Sequence, residues 1–256
     1  MPWHLRIVVL LFFLFSSFVW AIPCGEWGEI LVVDVLTEVM NHTPVIEPPP
    51  QKPKRPTGEM GRIYDDNAKQ VREMKSLLRG GQAEELELFY AHYQKNKLRY
   101  EEVARKVGLP PALIAALHWR ESTGDFGTYM HQGDPLGRPA RNHPRNIPLF
   151  HRWEPSAVHA FKRQAWVGKG LHLTKDTTDL AALATYAEYY NGLGYWYRRV
   201  SSPYVFSGTN QYSRGKYVAD GRYSRAARDR QLGVALMIRT ISDRERKPKP
   251  SNTVSS

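Results

Sequence analysis

The stretch Leu117-His118-Trp119-Arg120-Glu121-Ser122-Thr123-Gly124-Asp125-Phe126-Gly127-Thr128-Tyr129-Met130-His131-Gln132-Gly133-Asp134-Pro135-Leu136 runs off the end of an apolar helix into a Gly-rich turn. Pro110 and Pro111 open that helix, since proline is tolerated in a first turn. Leu113, Ile114 and Leu117 form its apolar face, and Gly124 is its expected exit. Glu121 lies four positions after Leu117 and seven after Ile114, which puts it on the buried stripe itself. A glutamate turned toward a core is costly unless it has a partner or a purpose. Near the negative pole of the helix dipole, beside Trp119 and Phe126, its carboxyl is expected to resist ionisation. A carboxyl kept protonated near neutral pH can give its proton away. Asp134, thirteen positions on, is either a second reactive carboxylate or a turn former ahead of Pro135. The residues alone leave both readings open.

Outward from this stretch the chain reads as mostly helical. Upstream, residues 66–78 carry Val71, Met74, Leu77 and Leu78 on one face and stop at Gly80-Gly81, a C-terminal signal. A second helix is expected over 83–95, with Leu86, Phe89, Tyr90 and Tyr93 at helical spacing, and a shorter third over 100–107 closed by Gly108. The aromatic stripe is read as core. Downstream, residues 123–154 are rich in Gly, Pro and Asn and are assigned long loops and a short β-hairpin; loops of this length in a compact domain are usually functional. Helices are expected again over 155–164 and over 178–190, capped by Thr178 or Asp179. Residues 193–223 read as loop, and a last helix is placed over 226–241.

The remaining segments bound the class. Arg6 followed by nine apolar residues from Ile7 to Phe15, then Val19-Trp20-Ala21, reads as a cleaved signal peptide over 1–21. That run is short for a membrane span of roughly 20 residues, so no stable membrane insertion is expected after cleavage. Cys24 is the single cysteine, which precludes an intramolecular disulfide. Residues 22–57 form a Pro-rich extension in which six of the thirteen residues from Pro44 to Pro56 are proline, a polyproline-like spacer. Residues 58–243 are assigned to one folded domain of α+β, mostly α class, expected as a monomer, and 244–256 to a disordered tail. The net charge of +11, from 36 Lys and Arg against 25 Asp and Glu, attracts polyanions: nucleic acid, an anionic membrane or an anionic wall polymer.

Chemistry other than proton transfer finds no motif. The nine histidines form no His-Glu-x-x-His arrangement, no Cys/His ligand set accompanies them, and neither a Gly-x-Ser-x-Gly elbow nor a phosphate-binding loop is present. No metal or other cofactor is expected. A proton-donating carboxyl with a second carboxylate nearby is what glycoside cleavage requires.

The segment from Ala116 to Phe126, with an apolar helix, Arg120-Glu121-Ser122 and then a glycine and an aromatic, resembles the glutamate-bearing helix end of the lysozyme and soluble lytic transglycosylase superfamily. Tyr190-Asn191-Gly192, after Ala181-Ala182-Leu183-Ala184, is similar to the Ala-Tyr-Asn-Ala-Gly element of lytic transglycosylases and comes in the same order. The run His131 to Leu136, Ser202-Pro203-Tyr204 and Lys216-Tyr217-Val218-Ala219-Asp220-Gly221 resemble bacterial and phage lysozyme-like proteins more than the hen type. The resemblance spans residues 98–241. It implies a lysozyme-like fold with long loops lining a glycan groove, and peptidoglycan as partner. It implies Glu121 as the general acid on the bond between N-acetylmuramic acid and N-acetylglucosamine, with the acetylation state of the sugars left open. Tyr190 and Asn191 would line the groove opposite Glu121. Tyr204 and Tyr217 are candidate sugar-stacking residues, and His131 flanks the site, although a hydrogen-bonded structural role is its simpler reading. In hydrolysis Asp134 would serve as nucleophile or as base for a water; a transglycosylase, whose muramoyl 6-hydroxyl attacks internally, needs no second carboxylate. Gly192-Leu193-Gly194 departs from the transglycosylase pattern and tilts the reading toward hydrolysis.

Two other classes compete: a wall-binding module with an idle groove, and a basic nucleic-acid binder, given Tyr197-Arg198-Arg199 and residues 222–228, where basic and aromatic residues interleave. Export argues against nucleic acid, and the glutamate at the helix end argues against an idle groove.

Overall fold

The computed structural model describes residues 55–142 and 144–246. The expected signal peptide, most of the Pro-rich extension and the chain after Arg246 lie outside the described residues. The elements in order are α1 (Gly58–Glu73), α2 (Gln82–Val107), α3 (Pro111–Ser122), α4 (Trp153–Arg163), α5 (Ala165–Gly170), α6 (Leu180–Asn191), α7 (Gly194–Tyr197), α8 (Pro203–Phe206), β1 (Lys216–Ala219), β2 (Arg222–Ser224) and α9 (Val234–Arg246). Among the described residues the fold is mostly helical, with one two-stranded antiparallel sheet.

Two helices form the centre. In α3 every residue from Leu113 to Trp119 is buried, and in α6 every residue from Ala181 to Glu188. Helices apolar on all sides belong inside a fold, and here α3 is packed by α2 and α9, and α6 by α1, α8 and α9. Alanines at 115, 116, 184 and 187, all buried, keep these helices slim enough for close packing. Asp179 caps α6, accepting from the amides of Ala181 and Ala182 at 2.9 and 3.2 Å, an N-cap bond of the ordinary kind.

Several expected boundaries move. The first helix starts at Gly58 and stops at Glu73, because Met74 turns extended and the following residues pair with the chain after α8: Ser76 bridges Thr209, and the Leu77 amide bonds the Gly208 carbonyl at 2.8 Å. Tertiary pairing thus ends the helix ahead of Gly80-Gly81, and Leu77 is left 44% exposed. The expected second and third helices are one, α2, since nothing between 95 and 100 breaks it; it ends at Gly108, left-handed at φ 69°, as read from the sequence.

The hairpin is not in residues 123–154, which hold only an isolated bridge between Thr128 and Pro135. It lies in 216–224, where Lys216 pairs Ser224, Tyr217 pairs Tyr223 and Ala219 pairs Arg222 across Asp220-Gly221, with an irregularity after Tyr217. The last helix begins at Val234 rather than near 226 and runs to Arg246, past residue 243.

Candidate active site

Glu121 sits in the last turn of α3. The chain leaves that helix through two left-handed residues, Thr123 at φ 54° and Gly124 at φ 75°. The Thr123 amide returns to the Trp119 carbonyl at 2.8 Å, which closes the turn and fixes where the carboxyl points. Gly124 is required twice, for its backbone conformation and because a Cβ there would come within 2.7 Å of the His92 ring. Gly133 lies over the same turn; a Cβ on it would reach the Glu121 carbonyl oxygen at 3.0 Å. The loop after α3 therefore folds back onto the end of the helix.

The Glu121 carboxyl accepts a hydrogen bond from the Tyr204 hydroxyl at 2.8 Å. Burial pushes its pKa up to about 7, against the opposing pull of the Tyr204 hydrogen bond and the Arg120 charge. Enclosure of the carboxyl is the physical cause; the ring of Phe126, expected beside it, instead stacks on His92 at 5.5 Å with the Arg99 guanidinium on it at 3.6 Å. Nor does Arg120 pair with Glu121. Its guanidinium bonds Asp229 at 2.9 Å and the Leu232 carbonyl at 3.1 Å and lies over the Tyr204 ring at 4.7 Å. Burial raises the Asp229 pKa, but the Arg120 charge and hydrogen bond together with Lys216, 3.5 Å away, bring it below the usual carboxylate range. Arg120 is thus neutralised from below while its flat face orients Tyr204. That carboxylate was not recognised in the sequence; the stretch containing it read as the start of a helix.

Tyr190, in the last turn of α6, donates its hydroxyl to the Met130 carbonyl at 2.8 Å, pinning the loop after α3 to α6. Its ring packs beside Phe161, and the Glu121 charge acts on its hydroxyl, which burial holds well above the usual tyrosine range. Glu121, Tyr204 and Tyr190 are therefore brought together. Asn191, the last residue of α6, is exposed.

The other candidates have partners of their own. Asp134 accepts from the amides of Arg141 and Asn142 at 2.7 and 2.8 Å, from the Asn142 side chain at 2.7 Å and from Gln132 at 3.2 Å. The Asn142 amide leads the interactions that hold its pKa below the ordinary value. Four donors on one carboxylate make it the clamp of the 132–142 loop, the turn-forming role. His131 faces His159 across 2.8 Å and stacks on Phe150; burial, then the neighbouring His159, press its pKa down to about 4, so it is a neutral member of a histidine pair. Tyr217 receives the Arg198 Nε at 2.8 Å and packs against Tyr195 and Tyr223, a cluster joined to the centre through the neighbouring Lys216 and Asp229.

Behind Glu121 runs a neutral relay. His118 Nε2 faces the Asp125 carbonyl at 3.1 Å and must carry the hydrogen, so Nδ1 accepts from the Tyr100 hydroxyl at 3.0 Å, and Tyr100 in turn accepts from His92 at 3.0 Å. Burial presses His118 down to about 3; it is structural, tying α3 to its exit turn. Among the described residues no group of three or more His, Cys, Asp or Glu could hold a metal ion. No protein-family model, no curated protein and no solved structure matches this chain.

Proposed function

We propose that the chain is an exported muramidase of lysozyme-like fold, with Glu121 as general acid on the β-1,4 bond between N-acetylmuramic acid and N-acetylglucosamine. The observation that carries this reading is the Glu121 carboxyl, enclosed at a helix end, held near pKa 7 and oriented by Tyr204. A proton donor whose pKa lies near the working pH combines the right protonation state with a readiness to let the proton go. Because Tyr204 donates to Oε1, the acidic hydrogen belongs on Oε2, which is the oxygen that would meet the glycosidic oxygen as the bond breaks. Once the proton is given, the Tyr204 hydrogen bond and the Arg120 charge stabilise the carboxylate that remains. The exposed amide of Asn191 suits a sugar amide, and the net charge of +11 suits an anionic wall polymer.

The route after protonation has two forms. Hydrolysis would call on Asp134 as nucleophile or base, with carboxylates ~5 Å apart for retention and roughly 6.5 to 9.5 Å apart for inversion. The four donors on Asp134 favour the second reading, a lytic transglycosylase that forms 1,6-anhydro ends without a second carboxylate.

Turbidity of a peptidoglycan suspension is expected to fall with wild type and not with Glu121→Gln; equal clearing by both would sink the mechanism, and binding without clearing by either would leave a wall-binding module. Mass spectrometry of the released fragments then separates the routes: anhydro ends mean transglycosylation, reducing ends hydrolysis. The same spectrum reads the acetyl content of the glycan that is cut.

A further inference from the structure

Glu121 has a permanent cation as its neighbour in the chain. Arg120 shares its helical turn, and the Arg120 guanidinium lies 4.7 Å from the ring of Tyr204, whose hydroxyl donates to the Glu121 carboxyl at 2.8 Å. The Arg120 side chain is 6% exposed, so little water screens its charge. A nearby opposite charge favours the ionised form of a carboxyl, which works against an acid that must carry its proton to the site. The contacts of Arg120 resolve the conflict. Its two terminal nitrogens are taken by the segment before α9, one by Asp229 at 2.9 Å and the other by the Leu232 carbonyl at 3.1 Å. Its Nε is buried without a partner among the described residues.

Asp229 is fixed independently of the arginine it holds. Its amide donates to the Tyr212 hydroxyl at 2.9 Å, its carbonyl accepts from the Ser207 hydroxyl at 3.4 Å, and its Oδ1 accepts from the Gln231 amide at 3.3 Å. The two carboxylate oxygens then serve different cations: Oδ2 faces Arg120, and Oδ1 faces Lys216 of β1 at 3.5 Å. A buried carboxylate between two cations stays ionised, so Arg120 has a counterion that does not depend on Glu121. Without Asp229 a buried guanidinium would be left uncompensated, a costly arrangement. Its charge would then act unopposed on the carboxyl in its own helical turn.

We propose that Asp229 is a positioning residue for Glu121: it holds the Arg120 guanidinium over the Tyr204 ring and answers its charge, which leaves Glu121 free to keep a proton. Asp229 never meets substrate; it acts through Arg120. Lys216 gives the arrangement a second anchor, since it ties the same carboxylate to the hairpin of β1 and β2. The consequence is specific. Removing this carboxylate disables the acid by ionising it, and not by unseating it. The bearing of Asp229 on bond cleavage rests on the function proposed above; its hold on Arg120 does not.

The test reads Glu121 directly, by ¹³C NMR titration of its carboxyl in the full chain. The groups acting on it are Tyr204 of α8, Tyr190 of α6 and Arg120 of α3, and those facing Asp229 are Arg120, Lys216, Tyr195 and Tyr212. In Asp229→Asn the midpoint is expected to fall from about 7 by roughly 1 to 3 pH units, and in Arg120→Gln to rise. With Arg120 already replaced, Asp229→Asn changes the midpoint little, because the charge it answers is gone. Asp229→Glu, which keeps a carboxylate, stays nearer to wild type than Asp229→Asn. In turnover Asp229→Asn is expected to lose roughly tenfold or more in kcat at pH 7 with KM little changed, and to regain most of it as the pH is lowered through the new midpoint. A merely structural lesion would recover at no pH.

An unmoved midpoint in folded Asp229→Asn, or one that falls just as far when Arg120 is already replaced by glutamine, overturns the proposal. Should Asp229→Asn fail to fold by circular dichroism, Arg120→Gln decides together with the double variant. A midpoint that does not rise in Arg120→Gln, or that falls well below it once Asp229→Asn is added, overturns the proposal equally. A chain that clears no wall but shows the coupled midpoints would overturn the muramidase reading and leave the role of Asp229 standing.

Discussion

Glu121 and Glu188 are both carboxyls raised by burial, to about 7 and about 8, and this has a consequence for stability independent of any reaction. A carboxyl whose folded pKa lies above its unfolded value binds its proton more tightly when folded. Its contribution is complete below the ordinary glutamate pKa and is lost as pH rises through the folded value. Glu121→Gln and Glu188→Gln are therefore expected to match wild type in chemical denaturation near pH 4 and to exceed it above pH 9 by on the order of 3 kcal/mol for Glu121 and about 5 kcal/mol for Glu188. A constant difference across that window would show that the carboxyls are not protonated in the fold. In activity the two substitutions part company: Glu121→Gln is expected to lower the turnover of soluble glycan fragments by roughly 10²- to 10⁴-fold. Asp134→Asn bears on the loop. It keeps one acceptor oxygen for the amides of Arg141 and Asn142, so it is expected to cost roughly 1 to 3 kcal/mol in thermal stability while retaining most turnover if transglycosylation is the route; loss of turnover as deep as that of Glu121→Gln would return Asp134 to the chemistry.

Among the elements, the weak ones carry the site. α8 is one turn long and gains its place from its neighbours: Ser202 below it, and the chain before α9 beside it. Gly233 makes that second contact. A Cβ there would stand 2.5 Å from the Val205 carbonyl oxygen and 2.6 Å from the Ser207 amide, backbone atoms that cannot rotate away. Gly233→Ala is thus expected to displace the segment carrying Tyr204 and to destabilise by roughly 1 to 3 kcal/mol, read as a lowered Tm with a rise in the Glu121 midpoint. A lowered Tm with the midpoint unmoved would mean that α8 shifts as a unit without losing its contact. Elements whose ends are set by local chemistry were legible in advance. Asp179 caps α6 and Gly108 ends α2 as their residue types require. The hairpin was also written locally, since Asp-Gly between short runs is a strong two-residue turn signal, with Gly221 at φ 64°; the aromatic and basic character of that region hid it. The end of α1 was not legible, because it is made by pairing with residues more than a hundred positions away.

For the whole molecule, stability rests on packing around α3 and α6. Leu117 is fully buried, and Leu117→Ala is expected to cost about 2 to 5 kcal/mol, seen as a lower denaturation midpoint with an unchanged m-value. The charge of +11 acts at a longer range than any contact described here. Capture of an anionic wall suspension is expected to weaken with added salt, since charges farther apart than about 10 Å are screened at 0.1 M, while turnover of a short neutral oligosaccharide holds. Equal salt dependence of both would place the charge effect inside the site.

Local pattern by itself determined that an apolar helix opened by Pro110 and Pro111 ends in a Gly turn with a glutamate on its buried side. That much follows from spacing, because the helical period decides which side chains share a face. The direction of the Glu121 pKa was also legible, since burial of any carboxyl raises it. Its enclosure and its partners were not. Tyr204 stands 83 residues away in sequence and Asp229, which takes Arg120 off the carboxyl, stands 109 from its partner. Which of two carboxylates stays with its loop and which is left to hold a proton is a question of donors within hydrogen-bond reach. Four donors gather on Asp134 and one on Glu121, and only the tertiary fold brings them there, because their spacing along the chain obeys no period.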